Sequence, residues 1–250
     1  MVRGGTTGNP RGVPEDRVLP KRRWPPIYQL ILASASPRRE QLLRMLGLDF
    51  EIMVSTFEET TAVESSTPEE LVMHLARGKA EAVGRSLSSR PAPEPLIIGA
   101  DTIVVLDGKY LGKPADEDEA RQMLRMLAGR WHQVYTGIAL VHPRKSVVAY
   151  EMTRVHFRDL TRQEIDGYVL TGEPMDKAGA YGIQGVGAIL VDRIEGCFYN
   201  VMGLPLARLA LLLKEYGFHL PEVKTDGRTF NQESSCTGTP SGALGEIRRR

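Results

Sequence analysis

The stretch Leu30-Ile31-Leu32-Ala33-Ser34-Ala35-Ser36-Pro37-Arg38-Arg39 changes from an apolar run into a polar, cationic turn. The apolar part predicts a buried strand, and the residues that follow predict a helix. Ser36 stands at the N-cap position of that helix and Pro37 at its first position. Arg38 and Arg39 add positive charge where the helix dipole is already positive, which costs stability unless an anion binds there. The stretch therefore indicates a phosphate site, with a solvated helix start as the alternative.

Length and composition limit what surrounds this turn. The chain has 250 residues, of which 42% are hydrophobic, enough for one sizeable domain or two small lobes. Its net charge of +1 argues against stable nucleic-acid binding or attachment to an anionic membrane. There is no apolar run of membrane-spanning length and no signal-peptide core. The two cysteines, Cys197 and Cys236, are far apart in the sequence, so we expect neither a disulfide framework nor a zinc site. The low cysteine content also predicts a cytoplasmic protein.

Both ends of the chain have the composition of disordered tails. Residues 1–26 are rich in Gly, Pro and Arg, and residues 221–250 are rich in Ser, Thr and Gly. Neither segment has enough apolar residues to offset the entropy lost on ordering. The predicted folded domain therefore spans residues 27–220.

Strand and helix patterns alternate within that domain. Capping boxes begin helices at Thr67 and Thr161, and Asp116 caps a third. Further strands are predicted over residues 96–106, 134–142, 147–157 and 188–192, and a last helix over 205–216. Because two of these strands form a hairpin, we expect an α/β fold with a mixed, twisted sheet flanked by helices.

Asp101 interrupts the run 96–105, which otherwise has the composition of a strand buried on both faces. A buried carboxylate without a partner is costly, and a divalent cation or a catalytic water is the usual reason to keep one. The alternative is that the strand has already ended and that Asp101 caps a turn.

Three further polar features are ambiguous when considered alone. Lys79 lies on an apolar helical stripe and either reaches into a cleft or extends to the surface. Lys113 is held by Pro114 in a loop, where it either faces a ligand or is an ordinary surface lysine. The glycine-rich segment 176–187 contains Gln184, whose amide suits a base edge, but the segment is also compatible with a plain loop.

Taken together, these residues resemble the Maf family of nucleoside triphosphate pyrophosphatases. The resemblance covers about residues 30–217. The matching residues are Ser34-Ala35-Ser36-Pro37-Arg38-Arg39, Glu58-Glu59, Lys79, Gly99-Ala100-Asp101-Thr102, Lys113-Pro114 and Asp176-Lys177-Ala178-Gly179-Ala180-Tyr181-Gly182-Ile183-Gln184-Gly185. It implies two lobes around a central cleft, as in inosine triphosphate pyrophosphatases, and a homodimer.

The resemblance also implies a reaction. A nucleoside triphosphate is cut between its α and β phosphates, with Mg²⁺ or Mn²⁺ as the cofactor. Asp101 corresponds to the catalytic carboxylate, as general base or metal ligand, and Glu59 to a second carboxylate near the metal. The residues expected around the substrate are Ser34, Arg38, Arg39, Lys79, Thr102, Lys113 and Gln184.

Within the family, Arg38, Thr102 and Gln184 match the branch that acts on dTTP and UTP, and modified pyrimidine nucleotides are further candidates. The branch that acts on 7-methyl-GTP carries an aromatic residue, Gln and Glu at these positions. Gly112 departs from the dTTP/UTP pattern, because a glutamate often precedes the lysine there. Two alternatives stay open: a 7-methyl-GTP pyrophosphatase, and a nucleotide-binding regulator of septum formation or cell division.

Overall fold

The computed structural model describes residues 28–58, 67–87 and 93–218. The predicted tails, 1–26 and 221–250, lie outside these described residues, and so does Glu59. No helix in the described ranges has both the length and the apolar character to cross a membrane.

Seven strands and six helices follow one another in the described ranges. The strands are β1 (Tyr28–Leu32), β2 (Glu51–Ile52), β3 (Glu94–Leu106), β4 (Lys109–Leu111), β5 (Trp131–His142), β6 (Lys145–Phe157) and β7 (Val191–Glu195). The helices are α1 (Pro37–Met45), α2 (Pro68–Ser86), α3 (Glu117–Leu127), α4 (Arg162–Val169), α5 (Phe198–Val201) and α6 (Leu206–Lys214). Short 3-10 turns occupy Glu173–Asp176, Ala178–Ala180 and Gly185–Leu190.

The strands form one mixed sheet in the order β2-β1-β3-β5-β6-β7, with β4 beside the far end of β3. β1 pairs in parallel with β2 and β3, and the remaining pairs are antiparallel. β5 and β6 form the expected hairpin. The predicted mixed α/β fold is therefore confirmed.

Helix α2 lies unusually close to one face of the sheet because two glycines leave room for its backbone. A Cβ built on Gly99 would lie 2.1 Å from the Ala76 carbonyl oxygen, and one on Gly137 would lie 2.1 Å from the Val72 carbonyl oxygen. A side chain at either position would push α2 outward. These glycines thus set the height of α2 above β3 and β5, and with it the position of every side chain on its inner face.

The opposite face of the sheet is covered by the other helices. Successive strand residues point to opposite faces, so Ile97 packs under α2 while Leu96 and Ile98 pack against α1 and α6. Further along the same face, α3 and α4 cover a second apolar cluster that includes Val134 and Phe157. The sheet is therefore buried on both sides along its centre.

β7 is predicted three residues too early and the start of β5 three residues too late, and the shortest elements are missed. Residues up to Leu190 belong to a 3-10 turn, and β7 begins only at Val191. Arg158 explains the late start, because its Nε donates to the Ile189 carbonyl at 2.7 Å and its backbone N–H to the Leu190 carbonyl at 3.1 Å. β2, β4 and α5 have two to four residues, too few for a hydrophobic period to register.

Candidate active site

A cleft of about 690 Å³ opens on the sheet at the end of β1. It brings together all the described residues that the resemblance assigns to the substrate or to catalysis. These are Ser34, Arg38, Arg39, Lys79, Asp101, Thr102, Lys113 and Gln184. They come from five separate parts of the chain, so the fold collects what the sequence distributes over 150 positions (34 to 184). Glu58 of the matching acidic pair, by contrast, is not among the lining residues.

The cleft lies where one edge of β3 has no paired strand among the described residues. β1 pairs with β3 only as far as Leu32 opposite Ile98, and β4 begins to pair at Val104. Between these points, no strand of the described ranges pairs with this edge of β3. Asp101 lies in that interval, paired across the other edge with Gly137. Since β3 continues to Leu106, the alternative that the strand ends before Asp101 is wrong.

Asp101 points toward α2, where it meets Lys79. The carboxylate is 7% exposed, and its Oδ1 accepts a hydrogen bond from Lys79 Nζ. The lysine side chain is only 17% exposed, so the alternative that it extends to the surface is wrong. A buried carboxylate is costly without a counter-charge, and Lys79 supplies one.

Thr102 points to the other face of β3, where it contacts Arg39. Arg39 Nη2 donates to Thr102 Oγ1 at 3.1 Å, Nη1 donates to Ser34 Oγ at 3.3 Å, and Nε donates to the Gly203 carbonyl at 2.9 Å. These bonds tie the start of α1 to β3 and to the segment after α5. The guanidinium is therefore held in one orientation at the wall of the cleft.

The Thr102 hydroxyl is itself oriented by Thr136 on the neighbouring strand β5. Thr136 Oγ1 lies 2.9 Å from Thr102 Oγ1 and donates to the Asn200 carbonyl at 3.0 Å. With its proton used on Asn200, Thr136 must accept from Thr102. The Thr102 proton thus points away from the cleft, and its oxygen accepts from Arg39. Sequence reasoning missed Thr136 and Asn200, because both lie within otherwise apolar or loop-like segments.

The first turn of α1 is not closed by its N-cap. Ser36 has the extended backbone of an N-cap residue, as predicted, but its side chain makes no capping hydrogen bond. The nearby Ser34 Oγ instead accepts from the Ser36 backbone N–H at 3.2 Å and from Arg39. This helix start therefore presents its positive end to the cleft without a side-chain acceptor of its own.

Arg38 forms a second ion-pair cluster at the mouth. Its Nη1 lies 3.1 Å from Asp176 Oδ2, and Lys177 Nζ lies 2.6 Å from Asp176 Oδ1. Partial burial favours the neutral form of Asp176, but the hydrogen bond from Lys177 and the charge of Arg38 outweigh it and lower the pKa of this carboxyl. The motif 176–185 contains Asp176 and Lys177, yet the sequence alone gave neither of them a role.

Lys113 is exposed at the rim of the cleft, just past β4. The carbonyl of the preceding Gly112 accepts from the Gly179 backbone N–H at 2.9 Å, which joins this loop to the glycine-rich segment. A Cβ on Gly112 would meet no atom within 4 Å. The glycine at this departure from the family pattern is therefore not required by packing.

The cleft suits a divalent cation that is shared with a bound phosphate. Within the described ranges no three His, Cys, Asp or Glu side chains form a metal cluster. Its described carboxylates are Asp101 and Asp176. Mg²⁺ is usually held by one or two carboxylates together with substrate phosphates and water. The donors present fit that pattern, and Asp101 is the more buried of the two.

Comparison with known proteins places this cleft in context. A family model described as "Maf-like protein" matches residues 29–216. A dTTP/UTP pyrophosphatase of Acetivibrio thermocellus is 51% identical over 195 residues, covering 76% of this chain and 96% of the relative. The dTTP/UTP pyrophosphatases of Bacillus cereus strain G9842 and Bacillus mycoides are each 50% identical over 188 residues, covering 75% of this chain and 95% of theirs.

Proposed function

Since this chain belongs to the Maf family, we propose that it is a dTTP/UTP pyrophosphatase, which hydrolyses these nucleotides to the monophosphate and pyrophosphate. Relatives that are about 50% identical are named dTTP/UTP pyrophosphatases, and the match covers nearly their whole length. The substrates, the residue roles and the metal described below extend this proposal to the individual groups of the cleft.

One observation carries the proposal: the charge of the cleft suits a polyphosphate. Two carboxylates and five cationic side chains line it among the described residues. The cations are Arg38, Arg39, Lys79, Lys113 and Lys177. The open start of α1 lies among them, and helix starts favour phosphate oxygens. Such an excess of positive charge in a partly enclosed cleft attracts a highly charged anion and holds it in one place.

In the proposed reaction, water attacks the α phosphorus on the side opposite the bridging oxygen. Asp101 accepts a proton from this water, the new P–O bond forms, and the bond between the α phosphorus and the bridging oxygen breaks. The electron pair leaves with pyrophosphate. Ser34, Arg38, Arg39 and Lys113 are placed to hold the triphosphate and to stabilise the charge that moves onto the leaving group.

The Lys79 ammonium supplies the counter-charge of the buried Asp101 carboxylate and fixes its orientation through their hydrogen bond. A divalent cation bound by Asp101, with Glu59 as a further ligand, would supply charge neutralisation at the phosphates and a more acidic bound water. Mg²⁺ and Mn²⁺ both suit oxygen donors of this kind.

Base selection is assigned to Gln184, which lines the cleft with both an amide donor and an acceptor. A neutral amide of this kind can pair with the edge of thymine or uracil. A cationic methylated guanine would be better matched by a carboxylate. Arg38 and Thr102 complete the selection, Thr102 through the orientation of Arg39.

Several coarser expectations belong to the same proposal. The folded domain spans residues 27–220, as two lobes around the cleft in the manner of inosine triphosphate pyrophosphatases. The protein works in the cytoplasm as a homodimer and binds no nucleic acid stably. The low cysteine content supports the cytoplasmic setting and the balanced charge supports the absence of nucleic-acid binding, whereas the two lobes and the homodimer are what the family resemblance implies.

The test is chromatography of the products formed from each common nucleoside triphosphate and from 7-methyl-GTP, with Mg²⁺ or Mn²⁺. We expect monophosphate and pyrophosphate from dTTP and UTP, and a loss of at least about a thousandfold in kcat for Asp101→Asn with the fold retained. Turnover of 7-methyl-GTP alone would overturn the specificity. A folded protein that hydrolyses none of these nucleotides would favour a binding or regulatory role.

A further inference from the structure

Glu173 is a half-buried anchor that the proposed reaction does not use. It is not among the residues that line the cleft, yet its carboxylate accepts three hydrogen bonds. Oε2 accepts from the Val186 backbone N–H at 3.0 Å. Oε1 accepts from the Gly187 backbone N–H at 3.2 Å and from Tyr168 Oη at 3.0 Å. Two of these donors are backbone groups of one loop.

Tyr168 holds the other side of the same loop. It is 3% exposed, and its hydroxyl oxygen accepts from the Gly182 backbone N–H at 3.1 Å while donating to Glu173. Burial and the adjacent carboxylate raise the pKa of Tyr168, so the hydroxyl keeps its proton. The Tyr168–Glu173 pair thus binds residues on both sides of Gln184.

The glycines of the loop fit this pair closely. A Cβ on Gly185 would lie 2.8 Å from Glu173 Oε2, and the backbone there has a φ of +69°, which other residues rarely adopt. A Cβ on Gly187 would lie 2.6 Å from Tyr168 Oη and 2.3 Å from the Gly182 carbonyl oxygen. The sequence suggests that such glycines let a ligand approach the backbone. At these two positions the close neighbours are Glu173, Tyr168 and the loop itself.

We infer that Glu173, braced by Tyr168, is a positioning residue that fixes the loop 182–187 and thereby sets how Gln184 reads the base. The inference rests on the proposed function, since Gln184 is assigned to the base only there. The physical argument is that a carboxylate facing three donors forms strong and directional hydrogen bonds. A glycine-rich segment has little rigidity of its own. The Glu173 carboxylate, bonded to two backbone N–H groups of the loop, supplies the order that the loop sequence lacks.

The first experiment measures backbone amide exchange in Glu173→Gln without any nucleotide. The glutamine side chain has an NH₂ group in place of one carboxylate oxygen, so at least one of the donors that face Glu173 loses its acceptor. We therefore expect amide exchange over residues 182–187 to quicken by about tenfold or more. The matched control is Glu164→Gln, which removes a carboxylate that accepts from Thr161 and Arg158. It should quicken exchange only at the start of α4. Unchanged exchange over 182–187 in Glu173→Gln would overturn the inference.

The second experiment separates base reading from phosphate binding. For Glu173→Gln we expect KM for dTTP and UTP to rise by about tenfold, with kcat and pyrophosphate inhibition within about threefold of the wild type. Equal losses in kcat and in pyrophosphate affinity would indicate general damage and overturn the inference. A wild type that hydrolyses no nucleotide would instead overturn the proposed function, so the two failures are distinct.

Tyr168→Phe provides a second variant should Glu173→Gln fail to fold. It keeps the ring in place and removes only the hydroxyl that joins Gly182 to Glu173. We expect the same rise in KM and the same quickened exchange, both smaller because two bonds to Glu173 remain. Wild-type exchange and wild-type KM in a folded Tyr168→Phe protein would contradict the role given to this pair.

Discussion

The starts of α1 and α4 follow similar hydroxyl residues, Ser36 and Thr161, but they are built differently. Thr161 Oγ1 accepts from the Glu164 backbone N–H at 3.2 Å, and Glu164 Oε2 accepts from the Thr161 backbone N–H at 2.8 Å. The corresponding Ser36 side chain makes no such bond. One helix start is closed on itself, and the other is open toward the cleft.

The residue three positions after the N-cap explains the difference. That residue is Glu164 in α4 and Arg39 in α1. A glutamate there completes a capping box, whereas an arginine cannot accept a backbone hydrogen bond. Arg39 bonds instead to Ser34, Thr102 and the Gly203 carbonyl. The comparison teaches that a helix start with cations in place of the capping acceptor is the one to examine for an anion site.

Among the changes that test this comparison of helix starts, the largest effect is expected from closing the open start of α1. Ser36→Asp adds one of the best N-cap side chains to a backbone that already has N-cap geometry. We expect the free energy of unfolding to rise by about 0.5–1 kcal/mol, while kcat/KM for dTTP falls by about a hundredfold because the carboxylate occupies the anion site. Urea unfolding and steady-state kinetics measure the two quantities.

Thr161→Asp is the matched control for the added carboxylate. Thr161 lies at a helix start outside the cleft, so kcat/KM for dTTP should not change. Stability should not rise, because Thr161 Oγ1 donates to Glu164 Oε2 at 2.9 Å and an aspartate cannot. If Ser36→Asp kept full activity, the start of α1 would not be a phosphate site.

Removing the caps should give the opposite pattern. Thr161→Ala loses a capping hydrogen bond and is expected to cost about 1 kcal/mol of stability with unchanged kinetics. Ser36→Ala loses no such bond, so its stability should stay within about 0.3 kcal/mol of the wild type while KM rises by a few fold. Denaturant midpoints and KM values for both variants decide the matter. Equal losses of stability would show that the two starts do not differ.

The smallest expected effect is a change in stability at acidic pH, which depends on Glu164. The hydrogen bond from Arg158 and those from the Thr161 backbone and side chain lower the pKa of Glu164 from 4.5 to about 2. Because the folded pKa lies below the unfolded one, this stabilisation is complete above pH 4.5 and is lost as the pH falls toward 2. The stability advantage of the wild type over Glu164→Gln should therefore shrink between pH 5 and pH 3. A difference that stays constant over that range would contradict the assignment.

Much of the fold could be predicted from local sequence patterns. The capping boxes at Thr67 and Thr161 and the long strand through Asp101 produce their elements through nearby residues, and the structure confirms them. These features need no knowledge of distant contacts. The helical stripe places Lys79 on the inner face of α2 but leaves its outcome open, and its contact with Asp101 across 22 positions appears only in the structure.

Other features depend on contacts that no short pattern encodes. Thr102 meets Thr136 across 34 positions, and Thr136 meets Asn200 across 64. Glu173 is an unremarkable loop glutamate until the chain returns at Val186 and Gly187. The late start of β7 likewise depends on Arg158, about 30 residues earlier in the chain. Only the folded backbone brings these groups together.

The most direct test of the account is hydrolysis of dTTP in water enriched in heavy oxygen, followed by mass spectrometry of both products. Water attack at the α phosphorus, as in the proposed reaction, places the label in dTMP and leaves pyrophosphate unlabelled. Label in pyrophosphate would show attack at the β phosphorus and would contradict the assignment of the cleft.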